Sequence, residues 1–538
     1  MNDLWVTSVL ITPLIGLIPI LLWPKAREHQ IKWIALLFTL ATFGVSLLLL
    51  FQFDTSTGAM QHEHLVEWLN FGTFKINYDV AVDGMSILLV MLTTFIMPLA
   101  ILFSLTHITD RVRLYYAFML LVEFAMIGVF VAQDLFLFYI FWEVSLIPMY
   151  FLIGIWGGQQ RVYAAVKFFL YTMAGSLLML LAILWMGTHF GTFSVHEIIT
   201  RVQAAAATPE NVYGRRLIEA VLFLGFFIAF AIKVPIWPLH SWLPDAHTEA
   251  PTAGSVILAG VMLKLGTYGL LRFCLGFFPW ASVYFAPFIA VLAIIGIIFG
   301  AWVSYAQTDV KKLVAYSSIS HLGFVVLGIF ALGPGHAAGV SGATLQMVNH
   351  GISTGGLFLL VGMLYERRHT RAINAFGGVW KVMPIFSGLS LVIVLSSMGL
   401  PGLNGFIGEF TILLGTFGST VLGPIFAALA CLGVILAAIY LLYMWNTVFM
   451  GEYKAPTEAA HAAPGHEEVH AANPYPPLTW NEAAALVVVV IAAITIGLFP
   501  RPFFGTMDKS AGDIQAQLQR YIPASGAAVA QAPTPAQK

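Results

Sequence analysis

The sequence predicts an all-α integral membrane protein of about fourteen transmembrane helices. Three observations carry this prediction: hydrophobic residues make up 59% of the 538 residues, charged residues make up only 9%, and the mean hydropathy is +0.86. A soluble domain carries roughly a quarter charged residues, so this chain lacks the polar surface needed to face water on all sides. Most of its surface must contact lipid.

Charge and cysteine content exclude several classes of function. The net charge is -1, which provides no basic field for nucleic acid. The two cysteines, Cys274 and Cys431, each stand alone in an apolar stretch, whereas iron–sulfur clusters and structural zinc need several thiolates at close spacing. The sequence contains no glycine-rich motif of the kind that binds nucleotides after a β-strand. We therefore expect no cofactor or metal bound to this chain.

Apolar runs long enough to cross a bilayer recur along the whole chain and are numbered here from one to fourteen. They lie near 4–23, 32–53, 83–106, 112–131, 134–156, 162–187, 217–239, 252–275, 283–305, 311–331, 340–365, 384–418, 422–449 and 478–499. The run at 384–418 is overlong and contains Gly399-Leu400-Pro401-Gly402, so it is interpreted as one broken helix.

Lysine and arginine in the short loops predict the orientation, because they are enriched on the cytoplasmic side. With fourteen spans, all the basic loops fall on one side of the membrane, and both termini are then external. These loops contain Lys25, Arg27, Lys32, Arg111, Arg113, Arg161, Lys311, Lys312, Arg367, Arg368 and Arg371. The acidic loop at 54–82 falls on the opposite, external side.

Four ionisable residues lie near the middle of a span or beside a helix break: Glu143, Lys233, Lys264 and Glu409. A charge at the bilayer centre costs at least ~2.5–3.5 kcal/mol on insertion scales, so it persists only if it is paired, hydrated or useful. Glu143 and Lys233 alone are as readily interpreted as a structural ion pair. For the whole set we favour a proton relay, since a static chain of charges would mainly add cost.

Prolines and histidines extend this pattern. Pro235, Pro238 and Pro401 each remove a helical N–H donor, so breaks are expected in spans seven and twelve, each near a buried charge. In span seven this should leave the carbonyls of Ala231 and Val234 without a donor. Ordinary proline kinks are the alternative. Histidine both accepts and donates near neutral pH, and we assign secondary relay roles, against simple packing roles, to His321, His350 and His240. His247 lies toward the predicted cytoplasmic mouth.

Several of these segments resemble the antiporter-like membrane subunits of respiratory complex I, the proton-pumping NADH:quinone oxidoreductase. The resemblance covers about residues 83 to 450. Its most specific part is the stretch from His240 to Pro251, HSWLPDAHTEAP. The others are Phe141-Trp142-Glu143, Lys233-Val234-Pro235, Lys264-Leu265-Gly266, Ser317-Ser318-Ile319-Ser320-His321 and Gly399-Leu400-Pro401-Gly402.

The resemblance implies an organisation. Residues 1–110 would hold spans one to three, and residues 111–275 and 276–450 two inverted five-helix repeats with broken helices at spans seven and twelve. A cytoplasmic loop at 451–477 and span fourteen with a tail at 478–538 would follow. The chain resembles the M-type (chain 4) branch of the family in one further respect. It has a glutamate, Glu409, in broken span twelve, where the other relatives usually have lysine.

The resemblance also implies the cellular location of the chain and its partner subunits. The chain would sit in lipid in a bacterial inner membrane, as a non-redox subunit beside two other antiporter-like subunits. FMN, iron–sulfur clusters and quinone would belong to other subunits, whose quinone reduction would drive proton movement. A sodium/proton antiporter module and a purely structural membrane spacer are the alternatives, and a sugar or amino-acid carrier is disfavoured because few polar residues lie outside the relay.

Overall fold

The computed structural model describes residues 3–70, 75–205, 212–333, 337–455 and 475–522. It is a predominantly helical membrane protein, as predicted. Its main helices are α1 (Trp5–Leu22), α2 (Ile31–Gln52), α3 (Gly84–His107), α4 (Val112–Val131), α5 (Leu135–Trp156), α6 (Arg161–Phe190), α7 (Val195–Ala205), α8 (Arg216–Lys233), α9 (Trp242–Glu249), α10 (Thr252–Phe277), α11 (Pro279–Tyr305), α12 (Val310–Ile329), α13 (Ala338–Arg368), α14 (Pro384–Ser397), α15 (Asn404–Gly418), α16 (Pro424–Phe449), α17 (Trp480–Leu498) and α18 (Arg501–Leu518).

Twelve helices of the described ranges are long and apolar enough to cross a membrane. They correspond to all the predicted spans except 217–239 and 384–418, which are the two interrupted ones. The count of fourteen and the two inverted repeats therefore stay predictions. Most of the predicted loop at 451–477, with His461, His466 and His470, and the tail from residue 523 lie outside the described residues.

Aspartates begin three of the spanning helices. The side chains of Asp83, Asp134 and Asp309 each accept hydrogen bonds from two backbone N–H groups in the first turns of α3, α5 and α12. The first N–H groups of a helix have no partner within the helix, and an unsatisfied N–H near the membrane is costly. These caps fix where the three helices begin.

The first break separates α8 from α9 around Pro235 and Pro238. Our expectation of a free carbonyl at Ala231 is wrong, because Ile236 N donates to it at 2.8 Å. The Trp242 ring nitrogen also donates, at 2.8 Å, to the carbonyl of the residue before Lys233. The chain thus reconnects its own backbone groups across the break, directly beside Lys233, the last residue of α8.

The second break separates α14 from α15 around Pro401. Leu400 N donates to the Leu395 carbonyl at 3.0 Å. Gly399 and Gly402 have φ values of 79° and 94°, a region that only glycine adopts without steric cost. The turn between the two half-helices therefore depends on these glycines, and it places Glu409 in the second turn of α15.

The acidic loop at 54–82 contains a β-hairpin that the sequence did not lead us to predict. Strand β1 (Gln61–Asn70) pairs antiparallel with β2 (Lys75–Val82). At the same end of the bundle lies α18, whose Ser510 hydroxyl accepts from the N–H of Gly84, the first residue of α3, at 3.1 Å. The hairpin and α18 together lie across one end of the helices.

The basic loops gather at the opposite end. Arg113 donates to the Trp23 carbonyl at 2.5 Å, and Gly158 N donates to the Glu249 carbonyl at 2.8 Å. Lys311 donates to the Ala250 carbonyl at 2.5 Å. Loops that the charge pattern assigned to one side therefore contact one another, while the side of the membrane that they face stays a prediction.

Candidate functional site

Lys233, the last residue of α8, is buried among aromatic rings. Its Nζ lies 5.5 Å from the Trp142 ring centroid and 5.4 Å from the Phe168 ring centroid. Among the described residues it has no hydrogen-bond partner, and neither does Oε1 of Glu143, the residue after Trp142. The two charges therefore do not form a direct ion pair here. Both retain hydrogen-bonding capacity that water can satisfy.

Lys264 lies in α10, which is buried along its whole length. The helix widens to π-helical turns on both sides of this lysine, at Leu258–Met262 and Leu270–Cys274. Such turns occur frequently at functional sites because they shift side chains and carbonyls out of regular register. Here Lys264 Nζ donates to the Ala259 carbonyl at 2.5 Å.

The second contact of Lys264 is His350 of α13, whose Nδ1 lies 2.7 Å from Nζ. A charged lysine only donates, so Nδ1 of a neutral His350 accepts and Nε2 carries the ring proton. That Nε2 has no partner among the described residues. His350 therefore binds Lys264 on one side and has a free polar edge on the other.

The contact between Lys264 and His350 continues to His321 of α12 and Glu409 of α15, and these four residues are called the row below. The ring centroids of His321 and His350 are 6.0 Å apart, and His321 Nδ1 lies 2.7 Å from Glu409 Oε1. Gln346 donates to the same carboxylate oxygen at 3.0 Å. Lys264, His350, His321 and Glu409 thus follow one another across four different helices, of which only α12 and α13 are consecutive in the chain.

A small cavity of about 10 Å³ borders both His321 and His350. A cavity needs roughly 10–15 Å³ to hold one water molecule, so this space is the size of a single water. It is lined by His321, His350, Gln346, Asn349, Ser353, Thr354, Ser396, Ser397 and Gly405. The break between α14 and α15 contributes several of these polar groups to the site.

The structure separates His240 from this row. It lies in the connection between α8 and α9, where its ring packs against Phe299 with centroids 5.3 Å apart. Nearby, Lys167 forms a salt bridge of 2.7 Å with Asp245. The region around His240 is therefore a polar cluster of its own at the end of the bundle where the basic loops gather.

His247 of α9 lies closer to the row than the sequence suggested. Its ring stacks on Phe358 at 4.6 Å, both ring nitrogens lack partners among the described residues, and Lys311 and Lys264 are both within electrostatic range. A cavity of about 220 Å³ opens nearby at the end of the bundle that carries the basic loops. Polar residues of its lining include His107, Glu249, Lys311, Glu366 and Arg371.

Sequence reasoning missed several polar groups of the site. Gln346, Asn349 and Tyr440 are buried beside the row, and Asn349 Nδ2 donates at 2.7 Å to the Asn404 carbonyl at the start of α15. Glu123 of α4 is fully buried and has no partner among the described residues. The available signal was a polar residue inside an apolar run. Uncharged side chains give this signal only weakly, but Glu123 gave it as clearly as Glu143 did.

A buried ion pair joins α10 to α3 at the hairpin end of the bundle. The Arg272 guanidinium donates to the carboxylate of Asp83, the residue that caps α3. Arg272 Nε also contacts the Tyr268 hydroxyl at 3.3 Å. This pair ties the far end of the helix that carries Lys264 to the hairpin and α18.

No group of three or more His, Cys, Asp or Glu side chains within the described ranges could hold a metal ion. The ionisable groups of the site are instead arranged in single file. A single file of donors and acceptors is suited to passing protons, because each group can accept a proton on one side and release one on the other.

Comparison with known proteins identifies the family. The family model described as "NADH:quinone oxidoreductase/Mrp antiporter, TM" matches residues 132–439. NADH-quinone oxidoreductase subunit M of Rhodobacter capsulatus is 46% identical over 429 residues, which cover 79% of this chain and 82% of that protein. The chain belongs to the subunit M family.

Two further comparisons extend over nearly the whole chain. Subunit M of Escherichia coli strain K12 is 39% identical over 499 residues, covering 90% of this chain and 92% of that protein. A chain of respiratory complex I from Thermus thermophilus with bound NADH has a TM-score of 0.81 at 30% identity, covering 95% of this chain and 99% of that chain. Membership of the subunit M family confirms the assignment made from Glu409 and the other motifs.

Proposed function

We propose that this chain conducts protons across a bacterial inner membrane as the M subunit of an NADH:quinone oxidoreductase. The observation that carries the proposal is the buried contact series from Lys264 through His350 and His321 to Glu409. Buried charges inside membrane spans mark ion pathways, and this one links helices from both predicted repeats. Its subunit M relatives support the same role.

Glu143 and Lys233 act as the switch of the first predicted repeat. A carboxylate brought near a lysine stabilises its ammonium form, and its withdrawal leaves burial to disfavour the charge. In this structure the two groups are apart, and Lys233 lies at a helix break where a small movement changes its distance from Glu143. Movement of Glu143 toward or away from Lys233 would hold or release the Lys233 proton.

The released proton travels by way of Lys264 to His350, across the single-water cavity to His321, and on to Glu409. Each transfer in the second half joins groups that touch or that one water can bridge. His240, and His247 behind the cavity lined by Lys311, supply protons from the cytoplasmic end. Glu409 is the last group of the row and passes the proton outward.

The rest of the complex supplies the energy. This chain would hold no redox centre, and quinone reduction in subunits that carry FMN and iron–sulfur clusters would drive the switch. Its neighbours would be other membrane subunits, with an antiporter-like subunit on either side, and both termini would face the periplasm. Residues 111–275 and 276–450 would form the two repeats.

The test uses complex I reconstituted in proteoliposomes. Lys233→Ala and Glu143→Gln should each abolish most proton uptake per NADH oxidised while the assembled complex persists. Lys381→Ala, at an exposed lysine outside the row, is the control and should pump normally. A normal proton yield in both switch variants would refute the proposal.

A sodium/proton antiporter module is the second candidate, because the matching family description also names Mrp antiporters. Sodium-dependent transport by the purified complex would favour it. A purely structural spacer predicts instead that Lys233→Ala lowers the thermal stability of the complex and leaves its proton yield unchanged.

A further inference from the structure

Tyr440 of α16 is fully buried and touches the row at His321. Its hydroxyl lies 3.0 Å from Nε2 of His321, while Nδ1 of the same ring lies 2.7 Å from Glu409 Oε1. Both nitrogens of one imidazole are therefore held, one by a phenol and the other by a carboxylate. Tyr440 has no place in the proton route described above.

We propose that Tyr440 is a positioning residue that selects the tautomer of His321 and lets the ring pass one proton to Glu409. The inference rests on the proposed proton conduction and adds a residue to it. It depends on a property of the phenol hydroxyl, which can both donate and accept a hydrogen bond.

Before transfer the arrangement is fixed by Glu409. An ionised carboxylate only accepts, so His321 carries its proton on Nδ1 and donates it to Oε1. The bare Nε2 then accepts from the Tyr440 O–H. A tyrosine hydroxyl at this position therefore favours the one tautomer that has its proton already directed at Glu409.

During transfer one proton enters the ring and another leaves it. The Tyr440 O–H first turns away from Nε2. His350, protonated by Lys264, then passes a proton through a water in the cavity to Nε2 and becomes neutral again, which makes His321 an imidazolium. The Nδ1 proton moves to Oε1, which leaves a neutral ring and a neutral carboxyl group, and the Tyr440 oxygen accepts from the new Nε2–H. The side chain of Ser317, one helical turn before His321, is within reach of the Tyr440 hydroxyl, and its oxygen can receive the O–H that turns away.

The transfer itself requires only rotation of one hydroxyl, and no helix has to move. Once Glu409 has released its proton, a flip of the His321 ring restores an N–H toward the carboxylate and a bare nitrogen toward Tyr440. A group that accepts from the charged ring stabilises it, since hydrogen bonds to charged groups are about twice as strong as neutral ones. The ionisable side chains facing this ring from other helices are Glu409 of α15, Tyr440 of α16, His350 of α13 and, behind His350, Lys264 of α10.

The test compares Tyr440→Phe with Tyr443→Phe in reconstituted complex I. Tyr443 is on the same helix, is 37% exposed and stacks against Tyr305, so its variant controls for losing a phenol from α16. Tyr440→Phe keeps the ring and should lower the rate of proton pumping about tenfold, the scale of one lost hydrogen bond to a charged group. The control should pump at the wild-type rate.

The pH dependence separates positioning from structural support. Without the phenol oxygen the charged ring loses an acceptor, so the pH–rate profile of pumping should move toward lower pH in Tyr440→Phe. A slower rate with an unshifted profile would overturn the inference, because it would indicate loosened packing alone. Rates are expressed per assembled complex, so reduced assembly does not mask the result.

Glu409→Gln is measured in parallel to keep the two proposals distinguishable. If it stops pumping while Tyr440→Phe pumps with an unchanged rate and profile, only the role of Tyr440 is wrong. If both variants pump like the wild type, proton conduction through this row is wrong as well.

Discussion

Nζ of Lys264 lies 2.7 Å from Nδ1 of His350, and this contact joins a helix of the first predicted repeat to one of the second. Neither residue has another charged partner as close among the described side chains. Passage of protons between the two halves of the chain therefore depends on this contact.

Lys264→Met should remove the contact with His350 while keeping a side chain of similar length. We expect proton yield per NADH to fall by at least about tenfold, because a buried thioether cannot carry a proton to His350. Proton uptake by proteoliposomes measures the effect, and Lys381→Met is the control for loss of a lysine. Wild-type yield in Lys264→Met would show that protons bypass this contact.

Asp83→Asn should destabilise the protein strongly. Asparagine still caps α3, but it leaves Arg272 buried and without its counter-charge, which costs about 3–5 kcal/mol. The thermal unfolding midpoint of the purified complex measures this loss. Adding Arg272→Met to Asp83→Asn should recover part of the stability, and a double variant as unstable as the single one would contradict an ion-pair origin.

Gly266→Ala should disturb the packing between α10 and the end of α8. A methyl group at Gly266 would lie 2.7 Å from Val234 Cγ2 and 3.0 Å from the Phe230 carbonyl oxygen. Overpacking of this kind costs about 1–3 kcal/mol, and it should lower both the unfolding midpoint and proton yield.

Gly388→Ala provides the matched control, since nothing lies within 4 Å of a methyl group built there. Alanine in a helix is favoured over glycine by roughly 0.5–1 kcal/mol, so this variant should be as stable as the wild type or slightly more so. Equal unfolding midpoints and proton yields in the two variants would show that the packing around Gly266 accommodates a methyl group.

Asp79 of β2 should make stability depend on pH. Burial, and then the negative charges of Glu63 and Asp134, raise its pKa from 3.8 to about 7. The folded protein therefore retains a proton that the unfolded chain loses. This contribution is complete below pH 3.8 and is lost as the pH rises through about 7, at about 1.4 kcal/mol per pH unit between the two values.

Asp79→Asn mimics the protonated acid and should remove this component. Its unfolding midpoint should exceed that of the wild type above pH 7 and should change less across that value. Thermal unfolding of both proteins on either side of pH 7 measures the difference. Parallel pH dependence in the two proteins would place the titrating group elsewhere.

The helices, their breaks and the family followed from local sequence. Runs of about 20 apolar residues define a span wherever they occur, and Pro235, Pro238 and Pro401 interrupt a helix regardless of its neighbours. The hairpin at residues 61–82 was missed, because its strands only partly alternate polar with apolar residues. Alternation is the main signal of a half-buried strand.

Composition and spacing alone thus determined that this chain spans a lipid membrane and which ionisable residues lie inside its spans. Both follow from local sequence because the cost of burying a polar group is a property of the residue itself. Only the tertiary structure decided which of those residues meet. His350 and Lys264 are far apart along the chain yet touch, while Glu143 and Lys233, equally conspicuous in the sequence, stay apart. Contact between distant helices is set by how all of them pack together, and no local pattern encodes that arrangement.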